Sequence, residues 1–342
     1  MMEYEVFKEV VMGKFKDYLP EEFRDNELVQ REVFKVNRKL DSLSMNMNSE
    51  GKNISPSIYI NDMYEEYRAS EDLDMTLRNT AEVFVKAMNQ SKEIKEKLNL
   101  DDVEDKIIFQ LINTEQNKEF LETVPNRPFK DLSIIYRCMM EDVPDGTCSA
   151  VVTNGLAETL GLSEEELFNR AKENTVRICP PEVKTMNEVI EEILVRDFID
   201  LGMPEEDVKE MVHQTVLNEG MSDKTSLYVM TNSKRMFGAN AILFEDQLYS
   251  LAEKLDSDLY IMPSSIHEVI AVSTDIGNPE ELAAMVSEIN ASEVALEDRL
   301  SNQVYHYDKN LRTVSLATDT PNKSLGEDIA KASMSATFDV AR

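Results

Sequence analysis

The stretch Leu259-Tyr260-Ile261-Met262-Pro263-Ser264-Ser265-Ile266-His267-Glu268-Val269-Ile270-Ala271-Val272-Ser273 decides the class of this chain. Two apolar runs, Leu259–Met262 and Val269–Ser273, read as strands around a polar turn. Working outward, strands are expected at Ser226–Met230 and Gly238–Phe244, with helices at 246–255 and 279–290. The order ββαββα predicts an antiparallel or mixed sheet with helices on one side, an α+β arrangement. Gln303–Tyr307 and Thr313–Ala317 are expected to close it as a hairpin. From Thr318 small and polar residues dominate, so 318–342 is expected to be a flexible tail.

The beginning of the chain has its own pattern. Val6, Val10, Phe15 and Leu19 recur at helical spacing over 3–18. Strands are expected at about 27–37, 40–48 and 54–60. In the second, Leu43, Met45 and Met47 alternate with Ser42, Ser44, Asn46 and Asn48, the period of a half-buried strand. Gly51-Lys52-Asn53 reads as the turn to the third. Helices follow from Asn61 and through Leu73, Leu77, Ala81, Phe84 and Met88. Residues 1–100 are thus expected to form an α+β unit: an N-terminal helix plus a three-stranded meander with helices. The charge-dense Lys92–Asp105 is the linker candidate, and 101–317 the larger C-terminal α+β unit. That unit should open with a strand over Lys106–Asn113 and a turn at Pro125-Asn126-Arg127-Pro128. Strands at 131–140 and 150–153, a helix capped by Asn154, and helices at 163–175, 184–200 and 204–219 complete it.

Composition excludes several classes. The 342 residues carry a net charge of −30, with 42% apolar and 30% charged residues. So acidic a chain repels phosphate backbones and anionic lipid, which argues against direct nucleic-acid or membrane partners. No uninterrupted apolar run is long enough for a bilayer span. The acidic start, Met1-Met2-Glu3-Tyr4-Glu5, is unlike a signal peptide. Cys138, Cys148 and Cys179 are an odd, scattered set, which fits reduced thiols and a cytoplasmic location. Much of the acid has a structural reading. Asn278-Pro279-Glu280-Glu281 has the form of a capped helix start, and Ser163 with Glu166 has capping-box spacing.

Motifs exclude more than they assign. The ten glycines form neither a G-x-G-x-x-G nor a P-loop. His267-Glu268 begins like a zincin helix, but Ala271 stands where the second His would be, and calcium-loop spacing is absent. No cofactor or metal is therefore expected. The densest polar segment is Pro263–Glu268. Ser264, Ser265, His267 and Glu268 are residue types of acyl transfer, although no G-x-S-x-G elbow is present. If the 231–238 and 263–268 connections share one end of the sheet, Asn232 and Lys234 join them as a candidate binding set. Three functions compete: a non-enzymatic cytosolic binding or adaptor protein for an unknown protein or small ligand, a hydrolase using Ser264 or Ser265 with His267, and an acidic nucleic-acid mimic occupying a basic partner.

Three segments carry a family resemblance. They are Ser57-Ile58-Tyr59-Ile60-Asn61-Asp62-Met63-Tyr64, Gly161-Leu162-Ser163-Glu164-Glu165-Glu166-Leu167 with Ala171 and Asn174, and Ser257 through Val269. Over about 1–317 the chain resembles an uncharacterised domain-of-unknown-function family of anaerobic, mostly gut-dwelling Gram-positive bacteria. More distantly, through 132–136 and 154–175, it is similar to the YtpQ-type family of bacilli. The resemblance implies a bacterial cytosolic setting and no mechanism. Alkylation of the purified protein under denaturing, non-reducing conditions is expected to modify all three cysteines; a mass two protons short per pair would reveal a disulfide and overturn the cytosolic expectation.

Overall fold

The computed structural model describes residues 1–46, 57–97, 102–143, 146–217 and 227–319. They fall into two compact units, divided between 101 and 102. In the first, helix α1 (Tyr4–Lys14) continues as a 3-10 turn over Phe15–Tyr18, and a short α2 (Glu21–Arg24) leads into the sheet. Strands β1 (Glu27–Lys35), β2 (Arg38–Asn46) and β3 (Ser57–Tyr59) pair in sequence order, antiparallel. Helices α3 (Ile60–Ser70) and α4 (Leu73–Lys97) follow. Helical spacing drives the packing: Phe7, Val11 and Phe15 face one core with Leu43 and Met45 of β2 and Leu77, Ala81, Phe84 and Met88 of α4. The Gly51–Asn53 turn lies outside the described residues, as does most of the expected 318–342 tail.

The second unit holds two antiparallel sheets. The four-stranded one contains β4 (Ile107–Asn113), β5 (Asn126–Phe129), β6 (Leu132–Val143) and β7 (Gly146–Val151), with helix α5 (Lys118–Leu121) after β4. The long β6 pairs with β4 on one side and with β5 and then β7 on the other. Helices α6 (Asn154–Leu160) and α7 (Glu164–Ile178) lead to β8 (Pro181–Thr185), then α8 (Met186–Asp200) and α9 (Glu205–Leu217). Next come β9 (Tyr228–Asn232), α10 (Glu245–Leu255), β10 (Leu259–Met262), β11 (Val269–Ser273), α11 (Pro279–Ser292), β12 (Tyr305–Asp308) and β13 (Thr313–Leu316). The six-stranded sheet runs β13-β12-β10-β11-β9-β8.

Strand alternation explains how this sheet is buried. Leu259, Ile261, Val269 and Ala271 point into the large core shared with β4, β6, α7 and α10. Met262 and Val272 point the other way, onto Leu282, Ala283 and Val286 of α11. Helices therefore cover both faces, not one as expected. The α+β class stands, with four local corrections. Gly238–Leu243 is a 3-10 segment instead of the second strand of ββαββα. Its small residues let it pack flat, and Asn240 Nδ2 donates to the Phe109 carbonyl at 3.1 Å. The supposed turn at 125–128 is mostly edge strand β5, a position that tolerates Pro128. Strand β8, begun by Pro181, went unpredicted. Finally, Thr153, not Asn154, caps α6: its hydroxyl accepts from Leu156 N at 3.2 Å. The Ser163–Glu166 capping box and the Asn278 cap form as their spacing predicts.

Residues Leu300–Val304 cross the interior in irregular backbone, all of them buried. Side-chain amides match them: Asn113 Nδ2 donates to Leu300 O at 2.9 Å and Asn290 Nδ2 to Ser301 O at 3.1 Å. Gly238 marks the tightest backbone approach. A Cβ there would lie 2.3 Å from both the His267 carbonyl and Thr231 Oγ1. Gly238→Ala is expected to destabilise the second unit by about 1–3 kcal/mol. Gly13→Ala, at an exposed position of α1 with nothing within 4 Å, should stabilise the first by about 1 kcal/mol. Urea titration of the two variants checks the opposite signs.

Candidate functional site

Proline 263 ends β10, because it brings no N–H to a ladder, and the chain leaves the sheet. Ser265 then accepts the His267 N–H on its hydroxyl at 3.0 Å, a local turn bond. At the end of β9, on the far side of β11 from β10, Asn232 does the equivalent. Its Oδ1 accepts from Lys234 N at 3.0 Å, and its Nδ2 donates to the Met236 carbonyl at 2.8 Å. The turn that follows carries two non-glycine residues in left-handed backbone, Arg235 (φ 51°) and Phe237 (φ 55°). Antiparallel pairing of β9 and β10 with β11 puts both connections at one end of the sheet.

A third connection completes the cluster. The 296–300 segment crosses beneath 263–268: Ile266 N donates to Asp298 O at 2.8 Å and Leu300 N to Ser264 O at 2.9 Å. This brings Asp298 Oδ1 to 3.2 Å from His267 Nε2, with about a third of each side chain exposed. The His267 carbonyl accepts from the Thr231 hydroxyl at 2.8 Å, and Phe237 N approaches Nδ1 at 3.4 Å. The imidazole lies nearly parallel to the Phe237 ring, whose other neighbour is the Arg137 guanidinium, 4.7 Å from the centroid. The hydrogen bond to Asp298 raises the His267 pKa above its ordinary value, against burial, which lowers it. Burial raises the Glu268 pKa, opposed by the His267 charge and the Ser265 hydroxyl.

The six sequence candidates thus meet, in two roles. Asn232 and Ser265 are buried and hold the turns. Ser264, His267, Glu268 and Lys234 are half-buried at the rim. The sequence reading missed Asp298, which is 31 residues from His267 and sits in a short 3-10 turn with no periodic signal. The ring of Phe237 against the imidazole was not expected either. The bonds formed by Ser265 run to backbone and carboxylate, while the imidazole faces Asp298 and the 235–237 backbone. This is a clasp between three connections, in which the Ser265 hydroxyl meets the His267 N–H and the ring meets Asp298.

Elsewhere in the unit a cleft of about 670 Å³ lies beside Val124, Asn126, Asn154, Gly161 and Glu164. At its edge Arg127 grips Glu164 with two bonds of 2.9 and 2.8 Å and stacks 3.9 Å from the Phe168 centroid. The Tyr136 hydroxyl donates to the same carboxylate, and burial pushes its pKa up. This triad fastens α7 to the four-stranded sheet. Among the described residues no group of three His, Cys, Asp or Glu could hold a metal ion. Nor is any helix among them long and apolar enough to cross a membrane.

Fold and site together describe a two-unit α+β protein with a polar clasp at one sheet end. Residues 4–309 match the model of a family of unknown function, DUF5688, and the chain belongs to that family. No curated protein and no solved structure matches it.

The clasp makes a pH prediction. The folded protein holds the His267 proton more tightly than the unfolded chain does. Its contribution is therefore full below about pH 6.5 and is lost as pH rises through the raised folded value. The melting temperature of wild type should exceed that of His267→Gln most below about pH 6.5, and the gap should close as pH rises through the raised folded value. A gap independent of pH would mean that the ring stays neutral.

Proposed function

We propose that this protein is a non-enzymatic binding protein and that the clasped end of the six-stranded sheet is one of its contact surfaces. The observation behind this reading is the engagement of Ser265 and His267 by different partners, the Ser265 hydroxyl by the His267 N–H and the ring by Asp298. Loops held at one end of a rigid sheet are where binding groups usually sit. In this reading Ser264, His267, Glu268 and Lys234 make contact, while Asn232 and Ser265 hold them in place. The rim presents an imidazole, a carboxyl and an amine, suited to a small polar ligand or a peptide end. A bacterial, cytoplasmic setting belongs to the same proposal. It is supported by the resemblances to gut Gram-positive and YtpQ-type proteins and by the buried, unbridged Cys138 and Cys179. The division into an N-terminal unit of about 1–100, a larger unit of 101–317 and a tail is likewise proposed as the working domain scheme.

A fluorophosphonate probe separates this reading from a serine hydrolase. The native protein is expected to stay unlabelled at Ser264 and Ser265. Labelling that disappears in Ser264→Ala or Ser265→Ala, with melting temperature retained, would establish a nucleophile and end the binding-protein reading.

A further inference from the structure

Helix α8 is capped like the other long helices of the second unit but is buried unlike them. Its 15 residues include eight apolar ones: Met186, Val189, Ile190, Ile193, Leu194, Val195, Phe198 and Ile199. A helix apolar on most sides is ordinarily interior. Yet none of its residues is buried, whereas α7, α10 and α11 each bury four. Ile190 is 42% exposed, Ile193 37% and the following Leu201 79%. Spacings of three and eight place these three on one side of the helix. Helix α9 turns back against α8 after Gly202, burying Val208 and Val212 but leaving Met211 41% exposed, with Met203 in the turn 38% exposed. The hairpin thus exposes Ile190, Ile193 and Leu201 on one side, with Asp197 between Ile193 and Leu201, and adds exposed methionines, the adaptable side chains of recognition surfaces.

Charge identifies what would cover it. Residues 186–212 contain nine carboxylates (188, 191, 192, 197, 200, 205, 206, 207 and 210) against two cations, Arg196 and Lys209. Only some of these acids have helix-start roles, such as Glu188 in the Thr185 capping box. A second copy would bring the same acidic rim and its own charge of −30, so self-pairing is electrostatically opposed. Anionic lipid and nucleic acid are opposed for the same reason. The adjacent edge strand β8 is short and carries Pro181, Glu182 and Lys184, features that discourage strand addition.

We infer that the α8–α9 hairpin is a docking face for a basic amphipathic helix of another protein. The partner's apolar side would lie across Ile190, Ile193 and Leu201 and its Lys or Arg residues against the carboxylate rim. The hairpin is anchored for this: Glu192 takes Lys184 at 2.7 Å and also pairs with Arg235 of the clasp turn. The inference rests on the reading of the protein as a binding protein and gives the class of one partner.

The test uses the full chain and a fluorescent Leu/Lys peptide with helical amphipathic spacing, followed by anisotropy. Saturable binding is expected. It should weaken by about tenfold or more in Ile190→Ser/Ile193→Ser/Leu201→Ser, which leaves every charge in place. Met285→Ser, at a 52% exposed position on α11, should bind like wild type. A Leu/Glu peptide of the same spacing should not bind. Equal binding by wild type and the triple variant would show that charge alone attracts the peptide and would overturn the inference. So would absence of binding, or a dimer in sedimentation velocity that the triple variant dissociates, because the face would then belong to a second copy. Failure here with no fluorophosphonate labelling removes this surface and leaves the binding-protein reading standing, whereas serine labelling removes that reading itself.

Discussion

The second unit depends on one constraint: irregular backbone passing through an apolar interior must find hydrogen bonds outside any ladder. Leu300–Val304 is such a passage, and each polar group left unmatched there would cost about 1–3 kcal/mol. The solution uses short side chains. Asn113 and Asn290 take the carbonyls of 300 and 301, and the Ser301 hydroxyl accepts from Gln303 N at 3.0 Å. Thr318 Oγ1 accepts from Val304 N at 3.0 Å. Asp131 receives the hydroxyls of Ser301 and Tyr305, tying the passage to the start of β6. Both sheets and α11 thereby converge on five residues, and none of these groups can be replaced by an apolar one without leaving its partner unmatched.

The clasp follows from the same passage. Ser301 N and Leu300 N donate to the carbonyls of Pro263 and Ser264, both at 2.9 Å, so the loop after β10 is fixed from below by the segment that crosses the core. Asp298 arrives beside His267 because it immediately precedes that segment. A serine, a histidine and an acid are thus assembled by backbone requirements, and their hydrogen bonds are used to hold connections together. Residue types alone suggest acyl transfer; bond directions do not, since the hydroxyl lies on the backbone side of the turn and away from the imidazole. The short spacing from Ser265 to His267 dictates this, because a two-residue turn lets the hydroxyl reach the following N–H far more easily than the ring.

Where local rules act alone, the sequence was readable. The alternation in β2, β10 and β11, the capping box at Ser163 and the proline-led start of α11 all depend on neighbours within a few positions. Gly238–Leu243 defeated that logic, because an apolar run of six fits a strand and a tight helix equally well. Only the long-range bond from Asn240 to Phe109 and the contact of Gly238 with His267 decide between them. The prolines at 125 and 128 pointed to a turn since edge position, which makes a strand proline tolerable, is a property of the sheet and not of the segment. The candidate site was legible to the extent that both of its connections end strands adjacent to β11. Asp298 was not, because contact across 31 residues leaves no periodic trace.

Charge and burial also separate the two kinds of surface. Acidic residues at the starts of α7 and α11 sit against positive helix ends and serve helices whose apolar sides are buried. In α8 the carboxylates interrupt an apolar cylinder none of whose residues is fully buried, and only Glu188 has a helix-start role, so helix stabilisation explains neither the remaining acid nor the isoleucines beside it. Exposed aliphatic side chains bring no benefit to an isolated helix and raise the risk of association. A ring of like charge suppresses indiscriminate self-association while still attracting cations, so the two features are coherent only together. A docking face with an apolar side and an acidic border would be selective in a way that neither feature is alone, since like charge would oppose copies of itself and other acidic chains and opposite charge would favour a basic partner.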